Sequence, residues 1–194
     1  MAAEKGVYTQ SFARLIQVPT VTGSDRKHFA EFRKVLAEEF PAVFRVCEVI
    51  RPGGDDSDAI MFKWKGASSE RPVVLMAHQD VVPAVDGDWK YDPYSATVAD
   101  GKIWGRGTMD CKNTLFCTIQ SVNELIEEGF TPAQDVYLSY SDNEETSGSG
   151  APLCRDWLKA HGVRPAVAID EGGAIVAEAF PGMKKPFAMI GIIE

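Results

Sequence analysis

Cysteine is scarce in this sequence, and its arrangement argues against two common kinds of small protein. The four cysteines are Cys47, Cys111, Cys117 and Cys154, and no Cys-x-x-Cys pair occurs. Zinc knuckles depend on such pairs, and small secreted domains depend on a dense disulfide framework. The pattern therefore favours reduced, buried thiols in a cytoplasmic protein.

Positive charge and long apolar runs are also in short supply. The 194 residues carry 20 Lys and Arg against 28 Asp and Glu, a net charge of −8, and the basic residues form no cluster. A nucleic-acid partner requires a basic patch that neutralises phosphates, so we expect none. No stretch approaches the roughly 20 apolar residues that span a bilayer, and the first residues lack the apolar core of a signal peptide. We therefore expect no membrane partner and a cytoplasmic location.

One apolar run organises the chain. Val73 to Ala77 is continuously apolar and stops at His78, Gln79 and Asp80. Such a run is typical of a strand buried on both faces of a parallel sheet, and open α/β sheets bind their ligands where these strands end. His78 and Asp80 lie two residues apart and point to the same side of an extended chain. Asp80 is therefore placed to accept the second ring N–H of a metal-binding His78.

The rest of the chain alternates between predicted helices and predicted strands. Helices are predicted over residues 8–17, 24–40, 112–128 and 147–161. Strands are predicted over 43–50, 58–65, 73–77, 135–141 and 165–169, with hairpins at 97–105 and between 174–178 and 187–193. Residues 67–71 are predicted as a turn. This alternation predicts a three-layer α/β/α domain with a mixed, largely parallel sheet.

Carboxylates and one imidazole recur where predicted strands end or a predicted helix begins. The residues are His78, Asp80, Asp110, Glu144, Glu145 and Asp170. Zn²⁺ accepts imidazole nitrogen and carboxylate oxygen, and a carboxylate shared by two metals holds them about 3.5–4 Å apart. Each residue alone has an ordinary explanation: Asp170 could cap a turn, and Glu144 with Glu145 could be a solvated pair. Together, and in this order, they favour a dinuclear hydrolytic site.

The motifs around these residues resemble those of one metallopeptidase family. That family includes aminoacylase, glutamate carboxypeptidase, succinyl-diaminopimelate desuccinylase and the Gly-X or N-fatty-acyl-amino-acid carboxypeptidases. The matching stretches are 78–83 (HQDVVP), Trp89 with 92–94 (DPY), 100–107 (DGKIWGRG), 110–112 (DCK), 144–145 (EE) and 170–173 (DEGG). The resemblance covers nearly the whole chain, and its last motif is most similar to the Gly-X carboxypeptidase branch.

The resemblance implies a metal-dependent hydrolase that cleaves an amide bond in a small peptide or an N-acyl amino acid. Two Zn²⁺ ions per full-length subunit are implied, with Co²⁺ or Mn²⁺ as possible replacements. By the same resemblance, His78 and Asp170 bind one zinc ion, Glu145 binds the other, and Asp110 bridges the two.

The resemblance also assigns the groups that do not bind metal. It implies that Asp80 orients His78 and that Glu144 is the general base, which takes a proton from the bridging water and delivers it to the leaving nitrogen. A cis peptide bond between Asp110 and Cys111 is implied as well.

Two features expected from the resemblance are missing from the 194 residues. Relatives carry a final zinc-binding histidine and a lid domain inserted near the position of Gly191, and the lid forms their dimer interface. Only His161 follows the site here, and it matches no family ligand. We therefore expect residues 1–194 to be the N-terminal part of a catalytic domain, and the full-length protein to be a homodimer.

The sequence leaves two alternatives to the hydrolase. The first is a truncated metal-binding fragment without catalytic activity. The second, a mononuclear structural zinc or calcium module, is disfavoured because structural zinc sites close with cysteine and histidine and no EF-hand spacing occurs.

Overall fold

The protein is built on a five-stranded β-sheet with helices on both faces. The computed structural model describes residues 2–85, 87, 89–177, 182, 184–189 and 191. The strands are β1 (Glu48–Ile50), β2 (Ile60–Trp64), β3 (Ser68–His78), β4 (Thr97–Ala99), β5 (Lys102–Trp104), β6 (Gln134–Ser141), β7 (Val167–Ile169), β8 (Ala174–Val176) and β9 (Phe187–Met189). The helices are α1 (Ala2–Ile16), α2 (Lys27–Glu39), α3 (Pro41–Val46), α4 (Lys112–Glu127) and α5 (Gly150–Ala160), with a 3₁₀ turn at Glu144–Thr146.

The central sheet is mixed, as predicted. Its strand order is β1-β2-β6-β3-β7. The β1–β2 and β2–β6 pairs are antiparallel, whereas the β6–β3 and β3–β7 pairs are parallel. His78 lies opposite Ser141 in the register. The carboxyl ends of β3 and β6 therefore meet at one edge of the sheet, which is where the acidic residues were predicted to converge.

Two hydrophobic cores lie on the two faces of the sheet. Helices α1 to α4 cover one face, where Phe32 packs in one cluster with Phe62 and Tyr140. Helix α5 covers the other face, where Cys154 packs in one cluster with Met61. Met61 and Phe62 are neighbours in β2 and belong to different cores, because side chains alternate along a strand. The arrangement confirms the predicted three-layer α/β/α fold.

One segment predicted as a strand is helical over its first half. Residues 43–46 belong to α3, and only Glu48 to Ile50 form a strand. Pro41 occupies the start of α3, where its restricted φ suits a first helical turn. The Oδ1 atom of Asn123 in α4 accepts hydrogen bonds from the N–H groups of Ala42 (3.0 Å) and Val43 (3.4 Å). This long-range cap outweighs the local β propensity of the segment.

The predicted turn at residues 67–71 is also wrong, because β3 already begins at Ser68. Ser68 pairs with Gln134 of β6, and the register shifts before Val73. The irregular first half of β3 is exposed, so its side chains carry no apolar pattern that would mark a strand.

Both predicted hairpins are present. Strands β4 and β5 pair antiparallel around Asp100 (φ +54°) and Gly101 (φ +69°), the backbone angles of the tight turn predicted there. Strands β8 and β9 also pair antiparallel. Residues 178, 190, 192 and 193 of the second prediction lie outside the described residues. None of the helices in the described ranges is both long enough and apolar enough to cross a membrane.

Candidate metal centre

His78 is the buried centre of the predicted site. Its side chain is 1% exposed at the end of β3. The Nε2 atom lies 2.9 Å from Oδ1 of Asp110 and 3.9 Å from Oε2 of Glu144. The Nδ1 atom lies 2.9 Å from the backbone oxygen of Asp80 and 3.4 Å from its Oδ1. With Nδ1–H donating to Asp80, Nε2 is the ring nitrogen that faces the acidic residues and would bind a metal once deprotonated.

The electrostatic surroundings of His78 favour a positive charge at this position. Burial by itself lowers the pKa of His78, but hydrogen bonding with Asp80 and Cys111 outweighs burial and raises that pKa to about 12. A divalent cation would compete with this proton, because a bound imidazole must be neutral. The same negative field that favours the proton would favour the metal.

Asp80 does more than the sequence predicted. It is fully buried, and its carboxylate accepts hydrogen bonds from Thr22 Oγ1 and from the backbone N–H groups of Glu144 (3.0 Å) and Glu145 (3.2 Å). Burial raises the pKa of Asp80, but hydrogen bonds from His78, Thr22 and the Glu144 backbone lower it overall. Asp80 therefore joins His78 to the turn that carries both glutamates.

Asp110 reaches the site from the turn before α4. Its side chain is 66% exposed, and its peptide bond to Cys111 is cis, as the resemblance implied. Cys111 is buried, and its Sγ accepts a hydrogen bond of 3.1 Å from the backbone N–H of His78. His78, Asp110 and Cys111 form a group whose possible ligand atoms all lie within 4.8 Å of one another. Sequence reasoning missed Cys111, although its position next to Asp110 was a usable signal.

The two glutamates occupy different environments. Glu144 is half exposed, with a side-chain exposure of 50%, and faces Nε2 of His78. Glu145 lines a cavity of about 360 Å³ together with Asp110, Trp89 and Arg106. Burial, and then the Asp110 carboxylate, raise the pKa of Glu145. A cation bound by both carboxylates would remove the electrostatic repulsion between them.

Asp170 follows β7 and lies next to the site. It lines a small cavity of about 30 Å³ with His78, Glu144 and Ser139. Its Oδ1 accepts a hydrogen bond of 2.9 Å from the backbone N–H of Glu171. Among the described residues, the compact group of possible metal ligands holds Asp110 and Cys111 with His78 and does not include Asp170.

The donor set fits a divalent metal. The imidazole of His78 contacts the Asp110 carboxylate, Glu145 lines a cavity with Asp110, and Asp170 lines a cavity with His78; imidazole and carboxylate are ligand types that suit Zn²⁺. In the described part of the chain, neither Asp110 nor Glu144 forms an ion pair with a lysine or arginine. In these residues the cationic partner of both carboxylates is His78, whose proton a bound metal would replace.

Comparison with known proteins decides the family. The family model described as "Peptidase family M20/M25/M40" matches residues 74–183, which is more than half of the chain. The chain belongs to this family. The resemblance drawn from the motifs is thereby confirmed, and the family is one of metallopeptidases.

Relatives of this M20 chain include hydrolases and carboxypeptidases. The human "N-fatty-acyl-amino acid synthase/hydrolase PM20D1" is 35% identical over 196 residues, which cover 98% of this chain and 39% of the relative. "Carboxypeptidase S" of Saccharomyces cerevisiae is 28% identical over 156 residues, which cover 72% of this chain and 27% of the relative. The chain thus spans less than half the length of the curated relatives it matches.

Solved structures of family members share the fold. Human carnosine dipeptidase 1 superposes with a TM-score of 0.68 at 19% identity, covering 87% of this chain and 39% of that one. The M20 family metallo-carboxypeptidase Sso-CP2 of Sulfolobus solfataricus superposes with a TM-score of 0.65, also at 19% identity, covering 87% of this chain and 38% of that one. The predicted α/β fold is confirmed by both.

Proposed function

We propose that this chain forms part of a metal-dependent hydrolase that cleaves an amide bond in a small peptide or an N-acyl amino acid. One observation carries the proposal: Nε2 of His78 faces both Asp110 (2.9 Å) and Glu144 (3.9 Å) at the end of parallel strands in an M20 chain. The names of two relatives, an N-fatty-acyl-amino acid synthase/hydrolase and a carboxypeptidase, support the same substrate class.

The proposed cofactor is a pair of Zn²⁺ ions, with Co²⁺ and Mn²⁺ as alternatives. His78 and Asp170 would hold one ion, Glu145 the other, and Asp110 both. Bound zinc would lower the pKa of its water to about 7 and polarise the scissile carbonyl. The exposure of Asp110 and its contact with His78 support its shared role. A further ligand is expected from sequence that the longer relatives carry beyond the matched region.

The proposed general base is Glu144. Its carboxylate is half exposed, so a water molecule can reach it, and its Oε2 lies 3.9 Å from Nε2 of His78. It would accept the water proton and deliver it to the leaving nitrogen. Asp80 would hold both partners in place, because it contacts the His78 ring and the Glu144 backbone.

The cavity beside Glu145 is the proposed place for the substrate. Trp89 and Trp104 provide apolar walls, and Lys102 and Arg106 provide positive charge. A substrate with an apolar group and a free carboxylate would match both features. We propose such an acid, in keeping with the carboxypeptidase motif at residues 170–173. The homodimer through a lid domain and the cytoplasmic location stay predictions.

The deciding experiment is the zinc content of the purified chain after dialysis against zinc, compared with that of Asp110→Ala. About two zinc ions per chain, lost in the variant, are expected for a shared carboxylate. The matched control is Asp100→Ala, an exposed aspartate in the β4–β5 hairpin, which should keep the metal.

Other zinc contents would change the conclusion. One ion retained in Asp110→Ala would mean that this chain holds half a site and would favour the inactive fragment. No zinc at all would contradict the proposal. With two ions bound, hydrolysis of N-acyl amino acids is the next assay.

A further inference from the structure

Lys112 is a fully buried lysine two residues after Asp110. Its exposed fraction is 0% at the first residue of α4. Nζ donates hydrogen bonds to the backbone oxygens of Leu15 (3.0 Å) and Val18 (2.7 Å) and lies 4.7 Å from the ring centroid of Phe32. Among the described residues it forms no ion pair with a carboxylate. Lysines are almost never buried without such a pair, so these contacts call for an explanation.

One of the two carbonyls that Lys112 contacts, that of Val18, begins the segment that runs beside Asp80. Residues 18–22 run beside residues 79–82: the N–H of Val81 donates to the oxygen of Thr20 (3.0 Å), and the N–H of Thr22 donates to the oxygen of Val81 (3.2 Å). The hydroxyl of Thr22 then bonds the Asp80 carboxylate. Residues 18–22 are therefore hydrogen-bonded to Lys112 at one end and to Asp80 at the other, and they link the two side chains.

Lys112 also lies directly beneath the turn that presents Asp110. A Cβ atom built on Gly107 would lie 3.2 Å from Cδ of Lys112 and 2.8 Å from Cγ1 of Val81. The backbone N–H of Lys112 donates to the oxygen of Gly107 at 3.0 Å. The lysine stem and its ammonium group thus hold the 105–110 turn against the α1 end of the protein.

We infer that Lys112 is a positioning residue that fixes Asp110 relative to His78 and Asp80, and so sets the spacing of the metal ligands. The inference rests on the proposed metal centre. Its physical content is that an amino group with two carbonyl acceptors, packed against one aromatic face, has little freedom to move. The 105–110 turn, which packs on Lys112, is therefore restricted in its movement as well.

The test is Lys112→Met, which keeps the length of the side chain and removes its charge and donors. Zinc affinity is measured by competition with a chelator, and the visible absorption spectrum of the Co²⁺-loaded chain reports the coordination. We expect zinc affinity to fall by about tenfold or more, as for other residues that orient metal ligands, and the Co²⁺ spectrum to change.

The matched control is Asn123→Ala. Asn123 is buried in the same helix and caps α3 far from the site, so its loss destabilises the fold without releasing Asp110. If Asn123→Ala weakens zinc binding as much as Lys112→Met at a similar loss of stability, the inference is overturned. Unchanged zinc affinity and an unchanged Co²⁺ spectrum in Lys112→Met also overturn it.

A second pair of variants covers the case in which Lys112→Met does not fold. Phe32→Leu removes the ring beneath the ammonium, and Phe29→Leu removes a buried ring from the same helix. Zinc affinity about threefold weaker in Phe32→Leu than in Phe29→Leu supports the inference, and equal affinities overturn it. If the unmodified chain binds no metal, the proposed function fails together with this inference. If the chain and all variants bind two ions equally, only the inference fails.

Discussion

The Nε2 atom of His78 lies 2.9 Å from Oδ1 of Asp110, although 32 positions separate the two residues in the chain. The contact forms because the start of α4 packs beneath the end of β3, where the Cys111 thiol meets the backbone N–H of His78. The buried side chain of Cys111 therefore links the two segments that carry the predicted ligands His78 and Asp110. Changes near this contact should therefore affect metal binding.

The glutamate pair should divide between metal binding and proton transfer. In Glu144→Gln we expect both zinc ions to remain and hydrolysis to fall by about 100-fold or more, because the amide cannot accept the water proton. In Glu145→Gln we expect one zinc ion to be lost. Metal analysis and single-turnover hydrolysis on the same preparations measure both effects. Loss of metal in Glu144→Gln with full occupancy in Glu145→Gln would reverse the two assignments.

The hydroxyl of Thr22 should support the Asp80 carboxylate. Thr22→Val removes one hydrogen bond to Oδ2 of the buried Asp80 carboxylate, which keeps the bond from the backbone N–H of Glu145, and we expect a loss of about 1–3 kcal/mol in the free energy of unfolding because bonds to charged acceptors are strong. Zinc affinity should fall as well, because Asp80 orients His78. Urea unfolding and chelator competition measure the two quantities. Thr22→Ser keeps the hydroxyl and serves as the control; equal effects in both variants would rule out the hydrogen bond as the cause.

Asp58 should make stability depend on acidic pH. Burial raises the pKa of Asp58, but hydrogen bonds from Arg26 and Arg33 lower it overall. Because the folded pKa lies below the unfolded value of about 3.9, the stabilisation is present above that value. It is lost as the pH falls through the folded pKa.

The variant that tests this dependence is Asp58→Asn. At pH 7 we expect it to cost roughly 2–3 kcal/mol, less than a fully buried pair because Arg26 is 54% exposed. The difference from the unmodified chain should shrink as the pH falls below about 4. Chemical unfolding across this pH range measures it. Asp55→Asn, at a fully exposed position, should show no such dependence on pH. A difference in unfolding free energy between Asp58→Asn and the unmodified chain that stays constant with pH would contradict the mechanism.

Gly107 should tolerate no side chain. Its φ of +88° disfavours L residues, and a Cβ atom would lie 2.8 Å from Cγ1 of Val81. We expect Gly107→Ala to cost about 2–4 kcal/mol and to weaken zinc binding, since the turn that carries Asp110 must shift. Gly54→Ala is the control, with φ +57° and open space around it. Thermal unfolding and metal analysis decide; full zinc occupancy in Gly107→Ala would show that the turn does not position Asp110.

The sequence by itself determined the elements whose local pattern agrees with their tertiary surroundings. The apolar run before His78 became the central strand β3, and Asp100 with Gly101 formed the predicted hairpin turn. The order of motifs identified the family, because each motif lies in one continuous stretch. These features depend on periodicity, turn chemistry or contiguous residues, which are visible in a single chain.

Only the tertiary structure decided the features made by contacts between distant residues. Residues 43–46 became helical through a cap from Asn123, some 80 positions away. Asp80 proved to hold His78 through its backbone oxygen and the glutamate turn through its carboxylate. The hydrogen-bond partners of Cys111 and Lys112 have no local signature, because they come from β3 and from the end of α1. Chain folding brings such partners together, and sequence spacing does not encode their distance.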